Sequence, residues 1–404
     1  MLYFEKLKEG QFMKAVILSI FLLYNTLQAI TLEKIITSAL AKNPSLESIQ
    51  ERIHANKYNI ALSNQFQNPE LLITKNTLDS SQAMSQSVVI LKQNIPFYNK
   101  RDTNKKIAEA EDALLHEKLT AAKTKLVEKI KSESYTIWKL RELYRIIDEY
   151  ITLTKQNITL YESYTSIDEN QHMGIMKAAL SLSDLQIQKS SLRKQITASY
   201  ARLSYLASFK IDHLDIALQM GEKPDLTQLQ NALSQNPDLK IKEKELRKQN
   251  AKLQMTDLNN YPDINLIAGY ALRENFNNYF TFGIGMSLPI YGSEDYKEEK
   301  QRALILSVIS KKADTQIFIN AELESYYAQL LSSYEIYHII QDKALPQVAH
   351  MFELSSSSIS VGADLFKYID VLFQKLDLEQ KSIQAIANYN LAKAKIAQLT
   401  GELQ

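Results

Sequence analysis

The residues best suited to chemistry in this sequence are its six histidines, because the chain contains no cysteine. No two of these histidines have the spacing of a helical zinc site, and neither a glycine-rich phosphate loop nor a nucleophile elbow occurs. Without cysteine, the chain also lacks disulfides, thiolate ligands and thiol nucleophiles. The sequence therefore predicts no catalytic residue and no cofactor.

One short segment has the residue types of a soft metal site. His172, Met173 and Met176 lie close together in the sequence, and imidazole and thioether groups suit Cu(I) or Ag(I). Methionines at the start of a helix are more commonly packing residues. We therefore predict no metal site, and these three residues are its weak candidates.

Composition restricts the class of protein. The 47 basic and 46 acidic side chains nearly cancel, so no basic excess exists to neutralise the phosphates of a nucleic acid. Only 9 glycines and 8 prolines occur in 404 residues, which indicates few turns and long helices.

The N-terminal segment resembles an export signal. Met13-Lys14 precedes the apolar run from Ala15 to Tyr24, and Ala29 is a small residue at a cleavage point. Residues 1–29 are thus predicted to be a signal peptide, with Met13 as the functional start. No other apolar run approaches the roughly 20 residues of a membrane helix, which predicts a periplasmic, secreted or outer-membrane protein.

The rest of the chain repeats itself at an offset of 193 residues. Three proline landmarks keep this register, and Met173-Gly174 returns as Val361-Gly362 at an offset of 188. The sequence predicts a first repeat over residues 30–208, a linker over 209–224 and a second repeat over 225–404. The landmarks are Asn43-Pro44 with Asn236-Pro237, Pro69 with Pro262, and Pro96 with Pro289.

Each repeat contains a segment typical of a β-hairpin, over residues 69–96 and 262–289. In the second segment, apolar residues alternate with small or polar ones along two strands of about ten residues, as in a transmembrane barrel. A soluble hairpin packed on helices is the alternative. The residues predicted to face lipid are Leu266, Tyr270, Phe280, Phe282, Ile284 and Met286.

A long helix follows each hairpin. Residues 99–166 contain neither proline nor glycine, and their apolar residues recur every seven positions, which predicts a coiled coil of about 100 Å. The second copy, residues 294–355, contains Pro346, which should kink it. Residues 175–208 and 365–399 are predicted to return as antiparallel helices.

Geometry favours a trimer. Four membrane strands per chain leave open sheet edges that cannot face lipid. Two chains would form a filled eight-stranded barrel, whereas three would form a twelve-stranded barrel with a lumen. We therefore predict a mainly α fold with a transmembrane β portion, trimerising into a 12-stranded β-barrel and an α-helical periplasmic barrel.

In order and spacing, the two repeats, the prolines around each hairpin and the terminal Leu399-Thr400-Gly401 resemble the TolC-type outer membrane efflux proteins. The resemblance implies a homotrimeric channel in the bacterial outer membrane. It also implies a periplasmic adaptor of the membrane fusion type and an inner-membrane pump, of the resistance-nodulation-division class.

The resemblance also assigns roles to residues. Met173, Gly174, Val361 and Gly362 match the tips that dock on the adaptor, and Asp370 matches an acidic constriction at the tunnel entrance, although it could equally be a solvated helix residue. By analogy with short family members, heavy-metal cations are the favoured cargo and drugs the next. An exported coiled-coil scaffold and the conduit of a type I secretion system are the alternative functions.

Overall fold

The computed structural model of the chain describes residues 30–77, 79, 81–82, 84–163, 169–359 and 365–402. The predicted signal peptide and the Val361-Gly362 tip lie outside these residues. The first repeat runs through β1 (Ile30–Thr31), α1 (Leu32–Lys42), α2 (Pro44–Ser63), β2 (Glu70–Lys75), β3 (Gln86–Ile95), α3 (Lys100–Glu162) and α4 (Glu169–Ala207).

The second repeat has the same order of elements. Two short elements precede it, and a π-helical turn over Ile340–Ala344 divides its long helix. Its elements are β4 (Leu214–Asp215), α5 (Leu226–Ala232), α6 (Pro237–Leu258), β5 (Ile264–Arg273), β6 (Tyr279–Met286), α7 (Ser293–Ile339), α8 (Leu345–Ile359) and α9 (Leu365–Thr400).

The predicted element order is confirmed, with differences at the boundaries. α4 begins at Glu169, six residues before the predicted start at residue 175. The predicted linker also carries structure. Its β4 pairs in parallel with β1, and Ile211 and Leu214 are buried.

The predicted kink of the second long helix takes the form of the π-helical turn. Proline lacks an N–H, and its ring collides with the carbonyl four residues earlier, which for Pro346 is that of Asp342. The wider turn over Ile340–Ala344 contains this carbonyl. α3 has no such turn within its range.

The two repeats agree in backbone detail. The Nδ2 of Asn43 donates a hydrogen bond to the carbonyl of Leu206 at 3.0 Å, and the Nδ2 of Asn236 donates one to that of Leu399 at 2.8 Å. Both members of each pair differ by 193 positions. Left-handed residues recur at the same offset, as Asn99 with Gly292 and as Ser208 with Gly401.

Heptad positions form the helical core. The apolar residues that recur every seven positions along α3 lie between α3, α4 and their neighbours, in two separate buried clusters. No described helix is long and apolar enough to cross a bilayer. The fully buried or nearly buried heptad residues are Leu126, Ile130, Ile137, Leu140, Ile147 and Ile151.

The two hairpins join into one antiparallel sheet of four strands, in the order β2-β3-β5-β6. β3 and β5 connect the repeats through a ten-residue register from Gln86 opposite Arg273 to Ile95 opposite Ile264. β2 and β6 are the edges, and each pairs on one side only within the described chain.

The cap of α6 should contribute more stability than that of α2. Asn236 is 2% exposed, so Asn236→Ala removes an N-cap and strands the buried carbonyl of Leu399. We expect a loss of about 1 to 2 kcal/mol in the free energy of unfolding. Asn43→Ala, the repeat-related control, should cost less because Asn43 is only half-buried. Thermal unfolding followed by circular dichroism would show this, and equal melting temperatures would contradict it.

Candidate functional site

The sheet presents one broad apolar face. In one row across the strands, Leu71, Leu91, Ala268 and Phe282 are in register. Phe282 is 80% exposed. Side chains directly opposite each other share a face, so this row and the next form a continuous apolar surface. The next row contains Ile73, Val89, Tyr270 and Phe280.

The structure brings all six residues predicted to face lipid to this apolar face. Leu266 pairs with Ile284, Tyr270 pairs with Phe280, and Met286 lies at the end of β6. Five of the six are exposed, whereas Tyr270 is half-covered because its ring packs on that of Phe280, with centroids 4.6 Å apart.

The opposite face is built of smaller and more polar residues in the second hairpin. Thr281, Gly283 and Gly285 alternate with the apolar residues of β6. In the first hairpin the same face carries Leu72 and Ile90, because the alternation there is weaker. The sheet thus has one face suited to lipid and one suited to a partly polar lumen.

Aromatic residues lie near both ends of the strands. Tyr98, Tyr261 and Tyr291 are exposed at the end next to the long helices, and Phe276 and Tyr279 are exposed at the other end. Two such belts match the positions of aromatic residues at the two interfaces of a membrane.

An ion pair fixes the root of the sheet, and the sequence did not predict it. Lys100 Nζ lies 2.7 Å from Asp263 Oδ1 and donates to the carbonyl of Tyr261 at 2.7 Å. Asp263 also accepts from the backbone N–H of Phe97 at 2.8 Å, and the Phe97 ring stacks on Tyr261. The cluster thus joins the start of α3 to the strand that opens the second hairpin.

The described tip residues lie in the second turn of α4. His172, Met173 and Met176 are exposed, whereas Gly174 is buried. Among the residues that the structure describes, no group of three or more histidine, aspartate or glutamate side chains could hold a metal ion. Asp370 on α9 forms an ion pair with Lys177 on α4. The carboxylate predicted to lie at the constriction thus pairs with a lysine on a neighbouring helix of its own chain.

Two phenols on the long helices have raised pKa values. Burial raises the pKa of the Tyr150 hydroxyl, and the carboxylate of Glu379 raises it further. A hydrogen bond to Glu322 raises the pKa of Tyr326 to about 12. Because both phenols stay protonated at neutral pH, neither can act there as a base.

The root ion pair should matter far more than an exposed one. The Lys100 side chain is 9% exposed, so Asp263→Asn leaves a buried, unpaired ammonium. We expect it to lower the free energy of unfolding by about 3 kcal/mol. Asp212→Asn, which breaks the exposed Lys210–Asp212 pair, should cost less than about 1 kcal/mol. Thermal melts of both variants provide the test, and equal shifts would argue against a structural role for the root pair.

The fold is shared with solved channel structures. One of them is CusC, whose crystal structures concern the conformational changes accompanying folding and transmembrane channel formation. It matches with a TM-score of 0.77 at 13% identity, over 94% of this chain and 96% of that chain. The open state of the MtrE outer membrane channel of Neisseria gonorrhoeae matches with a TM-score of 0.79 at 13% identity, over 92% and 89%. The CmeC outer membrane channel of Campylobacter jejuni matches with a TM-score of 0.76 at 12% identity, over 92% and 85%.

Sequence comparison adds a family. No curated protein matches the chain in sequence, but residues 228–402 match the model of the outer membrane efflux proteins. This match confirms the predicted resemblance and agrees with the predicted location in the outer membrane. The matched family is one of transport proteins. The second repeat is therefore similar to the outer membrane efflux proteins, and the chain as a whole has the fold of the solved outer-membrane channels.

Proposed function

We propose that three copies of this chain form a passive channel through the outer membrane. The observation that supports it best is a four-stranded sheet with one apolar face and two edges, β2 and β6, that pair on one side only within the described chain. Within a bilayer, the backbone N–H and C=O groups at such edges need hydrogen-bonding partners that lipid cannot provide. Strands of other copies can provide them.

The repeat indicates which strands meet. β3 of the first repeat pairs with β5 of the second, so by the same relation β6 should pair with β2 of the next copy. An antiparallel pairing of this kind can keep Phe282 and Ile284 on the same face as Leu71 and Ile73. Twelve strands would then close around a lumen.

The helices would continue this lumen into the periplasm. α3 has 63 residues and is therefore about 95 Å long, and it packs against the antiparallel α4. The channel would export small solutes that an inner-membrane pump delivers through a periplasmic adaptor. Heavy-metal cations are the favoured cargo and drugs the next, on the analogy drawn from the sequence.

The exposed apolar face of the sheet favours a membrane channel over a soluble scaffold. In a periplasmic scaffold, Phe280, Phe282 and Ile284 would stand in water together, which forms an aggregation-prone patch. In a barrel, the same residues contact lipid chains.

An arginine on the apolar face should block assembly, whereas one on the other face should not. Phe282→Arg places a charge near the membrane midplane, at a cost of about 2 to 4 kcal/mol per chain. Thr281→Arg is the matched control, because Thr281 is the next residue along β6 and points to the opposite face. Fractionation and the mass of the detergent-extracted complex would report membrane trimers.

We expect Thr281→Arg to yield membrane trimers and Phe282→Arg to yield few. Equal trimer yields would contradict the assignment of the faces. A soluble monomer from the unaltered chain would instead favour the scaffold.

The tip of α4 should be needed for export but not for assembly. Met173 is 58% exposed, so Met173→Arg alters a surface that the adaptor is proposed to contact. We expect loss of efflux with intact trimers. Ser190→Arg, on an exposed position of the same helix about 25 Å away, should retain efflux. Accumulation of a fluorescent substrate in cells would measure this, and unchanged efflux by Met173→Arg would refute docking at this tip.

A further inference from the structure

Several apolar side chains of α7 are exposed beside its buried core positions. They lie in its N-terminal half, below the sheet, where a helix in water would carry polar residues. The exposed apolar residues of this half are Leu304, Leu306, Ile309, Ile317 and Phe318.

The repeat-related helix α3 is covered on the side of Thr124. Thr124, Val127 and Glu128 are all nearly buried, with Thr124 only 2% exposed. At an offset of 193, the residue that corresponds to Thr124 is Ile317, which is 70% exposed. The core positions nevertheless agree between the helices, because Ile130 and its counterpart Leu323 are both buried. The two helices therefore share their core positions and differ in burial where Ile317 corresponds to Thr124.

Elements of the second repeat cover α3. Ion pairs connect α3 to α6 along its length, and Glu128 pairs with Lys395 of α9 at 2.6 Å. The pairs between α3 and α6 are Lys125 with Asp238 at 2.9 Å, Glu117 with Lys244 at 3.8 Å, and Glu111 with Lys248.

Each of these pairs has a repeat-related pair, in which the α3 residue is replaced by its counterpart on α7 and the α6 residue by its counterpart on α2. Two of these repeat-related pairs contain no charge. Lys125 becomes Phe318 and Asp238 becomes Ser45, and, further along the helix, the pair of Glu111 with Lys248 becomes Leu304 with Ala55. At these two positions the first repeat thus offers small, uncharged side chains, whereas the third pair, Glu117 with Lys244, becomes Ser310 with Glu51.

A cavity in the first repeat lies at the position that this relation indicates. It has a volume of about 570 Å³ and opens beside the first turn of α2 and the end of α4. Tyr205 lines the cavity and is 82% exposed. These two segments line it with Asn43, Pro44, Ser45, Leu46, Tyr205, Leu206 and Ser208, and α3 lines the rest.

We propose that Ile317 and Phe318 of one copy occupy this cavity in the next copy of the chain. This inference rests on the proposed trimer and names its apolar contact outside the membrane. Phe318 packs beside Ser45 and Tyr205 of the neighbour, and Leu304 packs beside Ala55. Burial of these side chains replaces the ion pairs that join the repeats within one chain.

Engineered cysteines can test this register, because the chain has none of its own. Two matched double variants are Ser45→Cys with Phe318→Cys, and Ala55→Cys with Leu304→Cys. Two crossed controls exchange the partners, as Ser45→Cys with Leu304→Cys and Ala55→Cys with Phe318→Cys. Residues 304 and 318 are about 21 Å apart along the helix, much further than a short bis-maleimide reaches.

Each variant would be extracted in detergent, and the mass of its complex would be measured without crosslinker. The sample would then be treated with the bis-maleimide. We expect trimers in all four cases, and covalent dimers and trimers at least fivefold more abundant in the matched variants. Trimers that crosslink equally in matched and crossed variants, or in none, would overturn the proposed contact and leave the channel intact. An unaltered chain that forms no trimer would overturn both.

Discussion

One constraint determines the rest of the structure: the backbone N–H and C=O groups at every strand edge need hydrogen-bonding partners. A sheet of four strands has two edges, and a bilayer offers no water to satisfy them. The apolar face of β5 and β6 suits lipid only if β2 and β6 find partners on other chains. In the proposed channel, the membrane portion is thus incomplete in one copy, and assembly would be a condition of insertion. The ion pair of Lys100 with Asp263 then holds the sheet on the helices that carry it.

Much of this architecture can be read from the sequence because it depends on periodic patterns. Offsets of 193 residues locate both hairpins, and a seven-residue period locates the core of α3 through Ile130 and Ile137. Alternation along β6 assigns Phe282 to the apolar face. These features are regular over many residues, so one polar residue at a heptad position, Glu133 between Leu126 and Leu140, does not hide them.

Contacts between distant residues could not be predicted in this way. Lys100 and Asp263 are 163 positions apart, and no local pattern marks them as partners. The same holds for Asp370, whose pairing with Lys177 depends on how α4 and α9 lie side by side. Helix ends also differ by a few residues, because caps and single turns are decided by local hydrogen bonds rather than by periodicity.

The π-helical turn before Pro346 has a consequence for any protein that meets the far end of the helices. α3 lacks this turn within its range, so the two helical arms of a chain are not interchangeable although they derive from one repeated unit. A closed ring of three chains would then present six arms of two alternating kinds. A partner binding one copy per arm would need two modes of attachment, whereas a partner binding one copy per chain would need only one.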